Sequence, residues 1–215
     1  KSTQPNACRA AAMRRANIRR QTKETNIELE LELDGIVSAP SIAVPNGFFG
    51  HMLEALAVHS GLSLRLSAQG DTGVDLHHTV EDTGIVLGEA LAAALGERRG
   101  VVRFAHAYVP LDEALARAVI DLSGRGFFVW TVPPELEQTW VTREFPLTLV
   151  ADFFQAFADR ARLTLHLTVV AGRNPHHVAE ACFKAVAMAL RQAAALRAGA
   201  TGANEVPSTK GTLAG

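Results

Sequence analysis

The chain carries two copies of a short pattern, two adjacent histidines followed by a glutamate. The copies are His77-His78-x-x-Glu81 and His176-His177-x-x-Glu180, and their first histidines stand 99 residues apart. On a helix the glutamate lies about one turn from either histidine, whereas adjacent histidines project about 100° apart. One pair therefore cannot easily chelate a single ion, but it can give one imidazole to each of two ions.

Four imidazoles and two carboxylates without thiolates suit Mn, Fe, Co, Ni or Zn. A single copy could be a chance pair of histidines near a glutamate, but two copies at matching helix starts favour a metal centre. His51 and His106 are further candidate ligands, and Asp152 is a spare carboxylate. His59 and His166 each stand alone in an apolar run, so we expect both to pack or to form ordinary hydrogen bonds.

A second set of residues offers the donors that recognise an anion such as phosphate. The set comprises Arg103, Arg125, Lys184 and the segment Pro207-Ser208-Thr209-Lys210-Gly211. Lys184 follows Glu180 by one helical turn, so a phosphate bound there would lie within a small molecule's length of the metals. Each basic residue alone is more often a solvated surface charge, and the prediction therefore depends on their convergence.

Hydrophobic periodicity predicts the elements that must position these residues. Alternating or β-branched runs predict strands at 27–33, 62–66, around Tyr108, and at 119–122, 127–132 and 163–170. Apolar residues at steps of three and four predict helices at 48–58, 77–95, 145–157 and from Asn174-Pro175 to about Leu196. Each histidine pattern opens a long helix in a similar order of elements, which indicates an internal duplication.

The composition is that of a folded domain and excludes several classes of protein. Of the 215 residues, 48% are hydrophobic and 20% are charged, and the formal net charge is −1, which excludes wholesale disorder and a generally basic nucleic-acid binder. Cys8 and Cys182 are the only cysteines, so a disulfide-stapled mini-protein and a cysteine metal cluster are excluded, and a reduced compartment is expected. No stretch approaches the roughly 20 apolar residues of a membrane-spanning helix.

The first residues are rich in arginine and lysine, and no acidic residue precedes Glu24. An organelle transit peptide, for example for a plastid, is one interpretation, but such peptides are also enriched in serine. A solvated tail or a cloning remnant is the other, and we favour it together with a cytoplasmic location. The predicted division is a disordered tail at 1–13, α/β halves at 14–100 and 101–198, and a C-terminal tail at 199–215 with the phosphate-type residues.

Six motifs of the chain occur in the same order in one enzyme family. They are Arg20–Thr25 (RQTKET), Gly47–Leu53 (GFFGHML), His77–Gly84 (HHTVEDTG), Asp121–Arg125 (DLSGR), the second histidine pattern and Pro207–Gly211 (PSTKG). Through them the chain closely resembles the imidazoleglycerol-phosphate dehydratase family over about residues 14–213. The resemblance implies dehydration of imidazole glycerol phosphate to imidazole acetol phosphate in histidine biosynthesis.

The resemblance also implies a fold and an assembly. The fold would consist of two similar α/β halves, each a four-stranded sheet with two helices on one face, packed helix to helix. The assembly would be a homo-oligomer of twenty-four subunits, with active sites completed between subunits. A shared site would explain why a polar tail carries phosphate-type residues, because a neighbouring subunit can order it.

By position, the resemblance implies two Mn(II) ions per active site and assigns roles to individual residues. The metal ligands would be His51, His77, His78, Glu81, His176, His177 and Glu180, with Asp152 as an additional candidate. The phosphate would be bound by Arg103, Arg125, Lys184, Ser208 and Lys210, and either Glu180 or Glu24 would be the catalytic base. The chain departs from many members at Gly50, where they carry Asp, and at Asp152, where many carry His.

Two other functions could use the same residues. A dinuclear metallohydrolase would use the imidazoles and carboxylates to activate a bridging hydroxide, and it would release phosphate from its substrate. A metal-joined assembly module would bind metal and associate without turnover. The products formed from imidazole glycerol phosphate therefore distinguish all three functions.

Overall fold

The computed structural model describes residues 13–34, 38–197, 205–209 and 211–213. Of the tail predicted at 1–13, only Met13 is among the described residues. Lys210, one of the candidate phosphate ligands, lies outside them. Cys8 also lies outside them, whereas Cys182 is fully buried. Burial raises the pKa of the Cys182 thiol, so this cysteine is a packing residue.

The first half of the chain folds into one sheet and two long helices. Its elements are β1 (Arg15–Gln21), β2 (Thr25–Glu32), β3 (Ser41–Ala43), α1 (Gly47–Ser60), β4 (Ser63–Gly70) and α2 (His77–Leu95). The strand order is β1-β2-β4-β3, with β2 antiparallel to β1 and β4 and with β3 parallel to β4. Ile27, Leu29 and Leu31 of β2 lie in the core, so the strand predicted from their alternation with glutamates is confirmed.

The second half repeats this arrangement. Its elements are β5 (Phe104–Leu111), β6 (Ala114–Asp121), β7 (Phe127–Thr131), α3 (Pro134–Glu137), β8 (Trp140–Thr142), β9 (Phe145–Pro146), α4 (Thr148–Ala161), β10 (Thr164–Ala171) and α5 (Pro175–Ala194). The sheet order β5-β6-β10-β7 has the same strand directions as the first sheet. The predicted duplication into two α/β halves with four-stranded sheets is therefore confirmed.

The helices of the two halves correspond in length and in the placement of their polar residues. Helices α1 and α4 both have 14 residues, and His51 and Asp152 are each the fifth residue of their helix. Helices α2 and α5 have 19 and 20 residues, and each carries its two histidines in the first turn. Asn174 accepts a hydrogen bond from the backbone N–H of His176 at 3.0 Å, which confirms the helix start predicted at Asn174-Pro175.

The arginine-rich segment that begins the described chain is a strand of the domain and not a solvated tail. Ala16 and Ile18 of β1 pack against the core, while Arg15, Asn17, Arg19 and Gln21 face solvent. Arg19 pairs with Glu28 of β2, with its Nε 3.2 Å from Oε1. Since only Ala16 and Ile18 of its seven residues are apolar, β1 lacks the apolar alternation of an ordinary strand, and the sequence pattern did not predict it.

The helix predicted at 145–157 begins later, at Thr148. Phe145 and Pro146 form β9 instead, which pairs with β8 in a small hairpin without a counterpart among the described residues of the first half. Phe145 is fully buried, and its ring centre lies 5.0 Å from that of Phe48 in α1. Apolar spacing alone cannot distinguish a short buried strand from the first turn of the helix that follows it.

The helices of the two halves pack on each other, α1 on α5 and α2 on α4, as the family resemblance implied. A cluster of fully buried phenylalanines lies between them: Phe49, Phe153, Phe154, Phe157 and Phe183. This packing brings side chains of one half beside side chains of the other. In the described parts of the chain, no helix is both long and apolar enough to cross a membrane.

Helices α2 and α4 approach closely at two glycines. A Cβ atom on Gly88 would lie 2.6 Å from the carbonyl oxygen of Phe157, and one on Gly84 would lie 2.5 Å from that of Phe153. We expect Gly88→Ala to push the helices apart and to lower the free energy of unfolding by about 1–3 kcal/mol, measured by urea unfolding. Gly73→Ala is the control, because no atom lies within 4 Å of its Cβ position. Equal urea midpoints for the two variants would contradict the close approach.

Candidate metal centre and phosphate pocket

A first group of donors lies where α1 of the first half meets α5 of the second, and we call it the α1–α5 group. Its members are His51, His176 and Glu180. Oε2 of Glu180 is 3.7 Å from Nε2 of His51 and 3.4 Å from Nε2 of His176. The glutamate side chain is only 13% exposed, whereas the two histidines are about half exposed. Two imidazoles and one carboxylate therefore meet at a surface that a ligand can reach.

A second group lies at the corresponding place between α2 and α4, and we call it the α2–α4 group. Nε2 of His77 is 3.9 Å from Oε2 of Glu81, and Nδ1 of His77 is 3.5 Å from Oδ2 of Asp152. Asp152 thus stands where His51 stands in the first group. Burial raises the pKa of Asp152, and His77 partly opposes this effect. The two groups differ in charge, because a carboxylate replaces an imidazole.

Lys184 lies one turn further along α5 and pairs with Glu180. Its Nζ is 2.6 Å from Oε1 of Glu180. Burial opposes ionisation of Glu180, but the hydrogen bond and charge of Lys184, with His51 and His176 nearby, bring the pKa of Glu180 below its ordinary value. A carboxylate with a lowered pKa is a good metal ligand and a weak proton acceptor.

The second histidine of each pattern is held by a carboxylate that the sequence pattern did not reveal. Nδ1 of His78 is 3.0 Å from Oδ2 of Asp71, and Nδ1 of His177 is 2.8 Å from Oε2 of Glu113. These hydrogen bonds raise the pKa of both histidines, and the one from His177 is the main reason that the pKa of Glu113 is lowered to about 2. Glu113 directly precedes β6 as Glu24 directly precedes β2, so the internal repeat was the signal that could have found it.

Glu24 lies on the turn between β1 and β2, close to the histidine that Asp71 holds. Its Oε2 is 3.9 Å from Nδ1 of His78, and 54% of its side chain is exposed. The backbone N–H of Glu24 donates to Oγ1 of Thr22 at 3.1 Å, which stabilises the turn. The structure thus places the carboxylate of Glu24 beside the candidate metal ligands, where a ligand can contact it.

The donors match a metal ion of the Mn-to-Zn series in type, since each group combines imidazole nitrogens with carboxylate oxygens. Within the described residues, however, no cluster of three or more His, Cys, Asp and Glu side chains has the geometry to hold a metal ion. The two rings of each pattern are 6.0 and 6.1 Å apart, centre to centre, so adjacent histidines occupy different positions. The described part of one chain therefore presents incomplete donor sets.

His106 belongs to neither group. It lies on β5 with its side chain exposed, and it pairs in register with Val119 of β6, which in turn pairs with His166 of β10. Ala105 and Ala107 of β5 face the core, and α5, which carries His176 and His177, packs on that inner face of the sheet. The structure therefore does not bring His106 to the metal ligand candidates of its own chain.

Three of the candidate phosphate residues line a separate cavity of about 890 Å³. Arg103, Arg125 and Ser208 are among its lining residues. Arg103 donates to both carboxylate oxygens of Asp121, at 2.7 and 3.2 Å, and to the carbonyl oxygen of Pro207 at 2.6 Å. These bonds join the C-terminal segment to the second sheet, and an anion in the cavity would meet cationic side chains.

This cavity lies at the opposite end of α5 from the histidines. The backbone N–H of Arg103 donates to the carbonyl oxygen of Ala193, close to the C-terminus of α5. His176 is in the first turn of that helix, so about 25 Å of helix separates the two ends, and Lys184 is about 13 Å from the cavity end. The predicted convergence of Lys184 with the other phosphate-type residues does not occur within a single chain.

Comparison with known proteins identifies the family. The family model described as imidazoleglycerol-phosphate dehydratase matches residues 45–190, which include both histidine patterns. The chain is 49% identical over 203 residues to the imidazoleglycerol-phosphate dehydratase of Azorhizobium caulinodans, with 94% of this chain and 100% of that protein covered. It is 52% identical over 200 residues to the protein of the same name from Acidiphilium cryptum, with 93% and 99% covered.

Solved structures show the same likeness in three dimensions. The imidazoleglycerol-phosphate dehydratase of Staphylococcus aureus superposes with a TM-score of 0.74 at 36% identity, covering 85% of this chain and 99% of that one. The enzyme from Pyrococcus furiosus, solved in complex with (S)-C348, gives a TM-score of 0.76 at 33% identity, covering 91% and 99%. The chain therefore belongs to the imidazoleglycerol-phosphate dehydratase family, the hydro-lyases of histidine biosynthesis.

Proposed function

We propose that this chain dehydrates imidazole glycerol phosphate to imidazole acetol phosphate, and that two Mn(II) ions per active site assist the reaction. The observation that carries the proposal is the pair of imidazole–carboxylate groups, each built from both halves of a chain of this family. The ring nitrogens of such a substrate suit metals held by these groups. Its phosphate suits the arginines of the separate cavity.

The metals would be held by the two groups and by the second histidine of each pattern. The residues are His51, His77, His78, Glu81, Asp152, His176, His177 and Glu180. Bound there, the ions supply Lewis acidity to the imidazole ring of the substrate. Glu180, kept ionised beside Lys184, and Asp152 would contribute negative charge that balances the ions.

We assign Glu24 as the catalytic base. The reaction removes the hydroxyl on the carbon attached to the ring, as water, together with a proton from the neighbouring carbon. Glu24 accepts that proton and returns it to the departing hydroxide, which leaves as water. The resulting enol then moves its hydroxyl proton to carbon and becomes the ketone of the product. Glu180 is less suited to this role, because Lys184 lies 2.6 Å from its carboxylate and lowers its pKa.

The phosphate would be bound by Arg103, Arg125 and Ser208, together with Lys210, which lies outside the described residues. Because these residues lie about 25 Å along α5 from the histidines of their own chain, the proposal requires that a neighbouring subunit supplies them. Lys184 would then approach the phosphate from the side of the metals. The proposed assembly is a homo-oligomer, with twenty-four subunits as the family resemblance implies.

The proposal includes neither a nucleic acid nor a membrane as partner, and it places the reaction in the cytoplasm. A net charge of −1 does not favour a broadly basic surface. Arg15, Arg19 and Arg20 are residues of β1, so they belong to the fold, which argues against a role for them in a plastid transit peptide.

Purified protein loaded with Mn(II) and supplied with imidazole glycerol phosphate tests the proposed function. We expect imidazole acetol phosphate to form without release of inorganic phosphate, activity to be lost on chelation with EDTA, and Mn(II) to restore it. Release of phosphate would indicate a dinuclear metallohydrolase instead, and metal binding without turnover would indicate an assembly module. Full activity in protein shown by elemental analysis to be metal-free would contradict the role of the metals.

A further inference from the structure

In both halves, Nδ1 of the second histidine of the pattern forms a hydrogen bond with a carboxylate. Nδ1 of His78 lies 3.0 and 3.2 Å from the two oxygens of Asp71, and Nδ1 of His177 lies 2.8 Å from Oε2 of Glu113. An ionised carboxylate only accepts hydrogen bonds, so Nδ1 donates, and the lone pair of the neutral ring is on Nε2. Nε2 of each ring is thereby prepared as a metal ligand.

The carboxylates are themselves positioned by the loops around them. The backbone N–H groups of Arg173 and Asn174 donate to Oε1 of Glu113 at 3.4 and 2.9 Å, and Asn174 is the cap of α5. Asp71 lies in the loop between β4 and α2, where its carbonyl oxygen accepts from the N–H of Val74 at 2.8 Å. Both carboxylates can therefore orient their histidine rings before a metal binds.

The two carboxylates come from different places in the two halves, and the duplication explains why. Glu113 corresponds to Glu24, because each directly precedes the second strand of its sheet. Asp71 corresponds to Gly172, because each directly follows an eight-residue strand that leads to a histidine helix. A Cβ atom on Gly172 would lie only 2.5 Å from Cγ2 of the buried Val178, and the φ of Gly172 is +152°, so an aspartate there would require Val178 and the backbone to shift.

We propose that Asp71 and Glu113 are positioning residues that aim Nε2 of His78 and His177 at the metals, and that Asp71 thereby leaves Glu24 free to act on the substrate. In the second half, Glu113, which corresponds to Glu24, itself holds His177. In the first half, Asp71 holds His78, and Oε2 of Glu24 remains 3.9 Å from Nδ1 of that ring. This inference rests on the proposed function and explains why one of two corresponding glutamates can serve as the base.

Binding of Mn(II) to the full chain tests the inference, because it can be measured without turnover. Asp71→Asn and Glu113→Gln each remove one negative charge and keep the size of the side chain. We expect each variant to bind one of the two Mn(II) ions about 10- to 100-fold more weakly, as measured from the EPR signal of free Mn(II). Glu137→Gln, exposed on α3, removes the same charge away from both histidine patterns and should bind both ions like the wild type.

Nitrogen-15 NMR of the histidine rings gives a second readout, one that a merely structural role would not change. In the wild-type chain without metal, the neutral rings of His78 and His177 should carry their proton on Nδ1. Asp71→Asn and Glu113→Gln should each shift the ring they contact toward the Nε2-protonated form. Wild-type Mn(II) affinity in both variants, or unchanged ring protonation, would overturn the inference.

The failure of this inference can be distinguished from the failure of the proposed function. If the wild-type protein forms imidazole acetol phosphate and both variants bind Mn(II) as tightly as it does, only the positioning role is wrong. If the wild-type protein binds two Mn(II) ions but forms no imidazole acetol phosphate, the proposed function is wrong. The affinities of the variants then still decide whether Asp71 and Glu113 position the ligands.

Discussion

Glu24→Gln is expected to lower kcat by about 10²- to 10⁴-fold while Mn(II) binding stays at the wild-type level. Glutamine keeps the size of the side chain but cannot accept a proton at neutral pH. Glu24 is more than half exposed and lies 3.9 Å from His78, so the substitution removes a proton acceptor without removing a buried contact. Steady-state kinetics, with bound Mn measured by elemental analysis, test this expectation.

Glu180→Gln is the matched comparison, because it makes the same change at the other candidate base. Glu180 lies between two histidines and pairs with Lys184, and its pKa is lowered, so we expect it to act as a ligand. The variant should bind Mn(II) more weakly, and excess Mn(II) should restore most of its kcat. A Glu180→Gln protein that holds both ions without turnover, beside an active Glu24→Gln protein, would assign the base to Glu180.

Mixing two defective variants in one assembly is expected to restore activity, because the histidines and the arginine cavity lie at opposite ends of α5. Glu24→Gln removes the proposed base, and Arg125→Ala removes a cation from the cavity. Losing one charge-assisted hydrogen bond to phosphate costs about 1.5–3 kcal/mol, so Arg125→Ala alone should lower kcat/KM roughly 10- to 100-fold. If each site combines Glu24 of one subunit with Arg125 of another, random assembly leaves about one site in four intact.

Co-expression of the two variants with different tags, followed by purification through both tags, yields the mixed assembly. Its kcat/KM at low substrate concentration should approach one quarter of the wild-type value. Arg125→Ala mixed with Ser208→Ala is the control, since both residues line the same cavity and no intact cavity can form. Activity equal to the mean of the separate Glu24→Gln and Arg125→Ala proteins would instead place the whole site within one subunit.

Elements with strong local signals could be predicted from the sequence. The helix predicted at 77–95 is observed at His77–Leu95, and the one predicted from Asn174-Pro175 begins at Pro175, because caps and apolar spacing act over a few residues. Strand β1 was not predicted, because much of what stabilises it is its pairing with β2. Arg19 on its outer face pairs with Glu28 of β2, and such a contact leaves no apolar pattern in the sequence. The hairpin of β8 and β9 was missed because Phe145 has the spacing of the helix that follows it.

For the candidate site, the residue types and their spacing establish that two helix starts each carry two imidazoles and a carboxylate. Which of these donors meet depends on the packing of helices from different halves: His51 lies beside Glu180, and Asp152 lies beside His77. No local pattern records such a contact, since the partners are far apart in the chain. The arginine cavity and the histidines are likewise separated by the tertiary structure, since they lie at opposite ends of α5, which rises about 1.5 Å per residue.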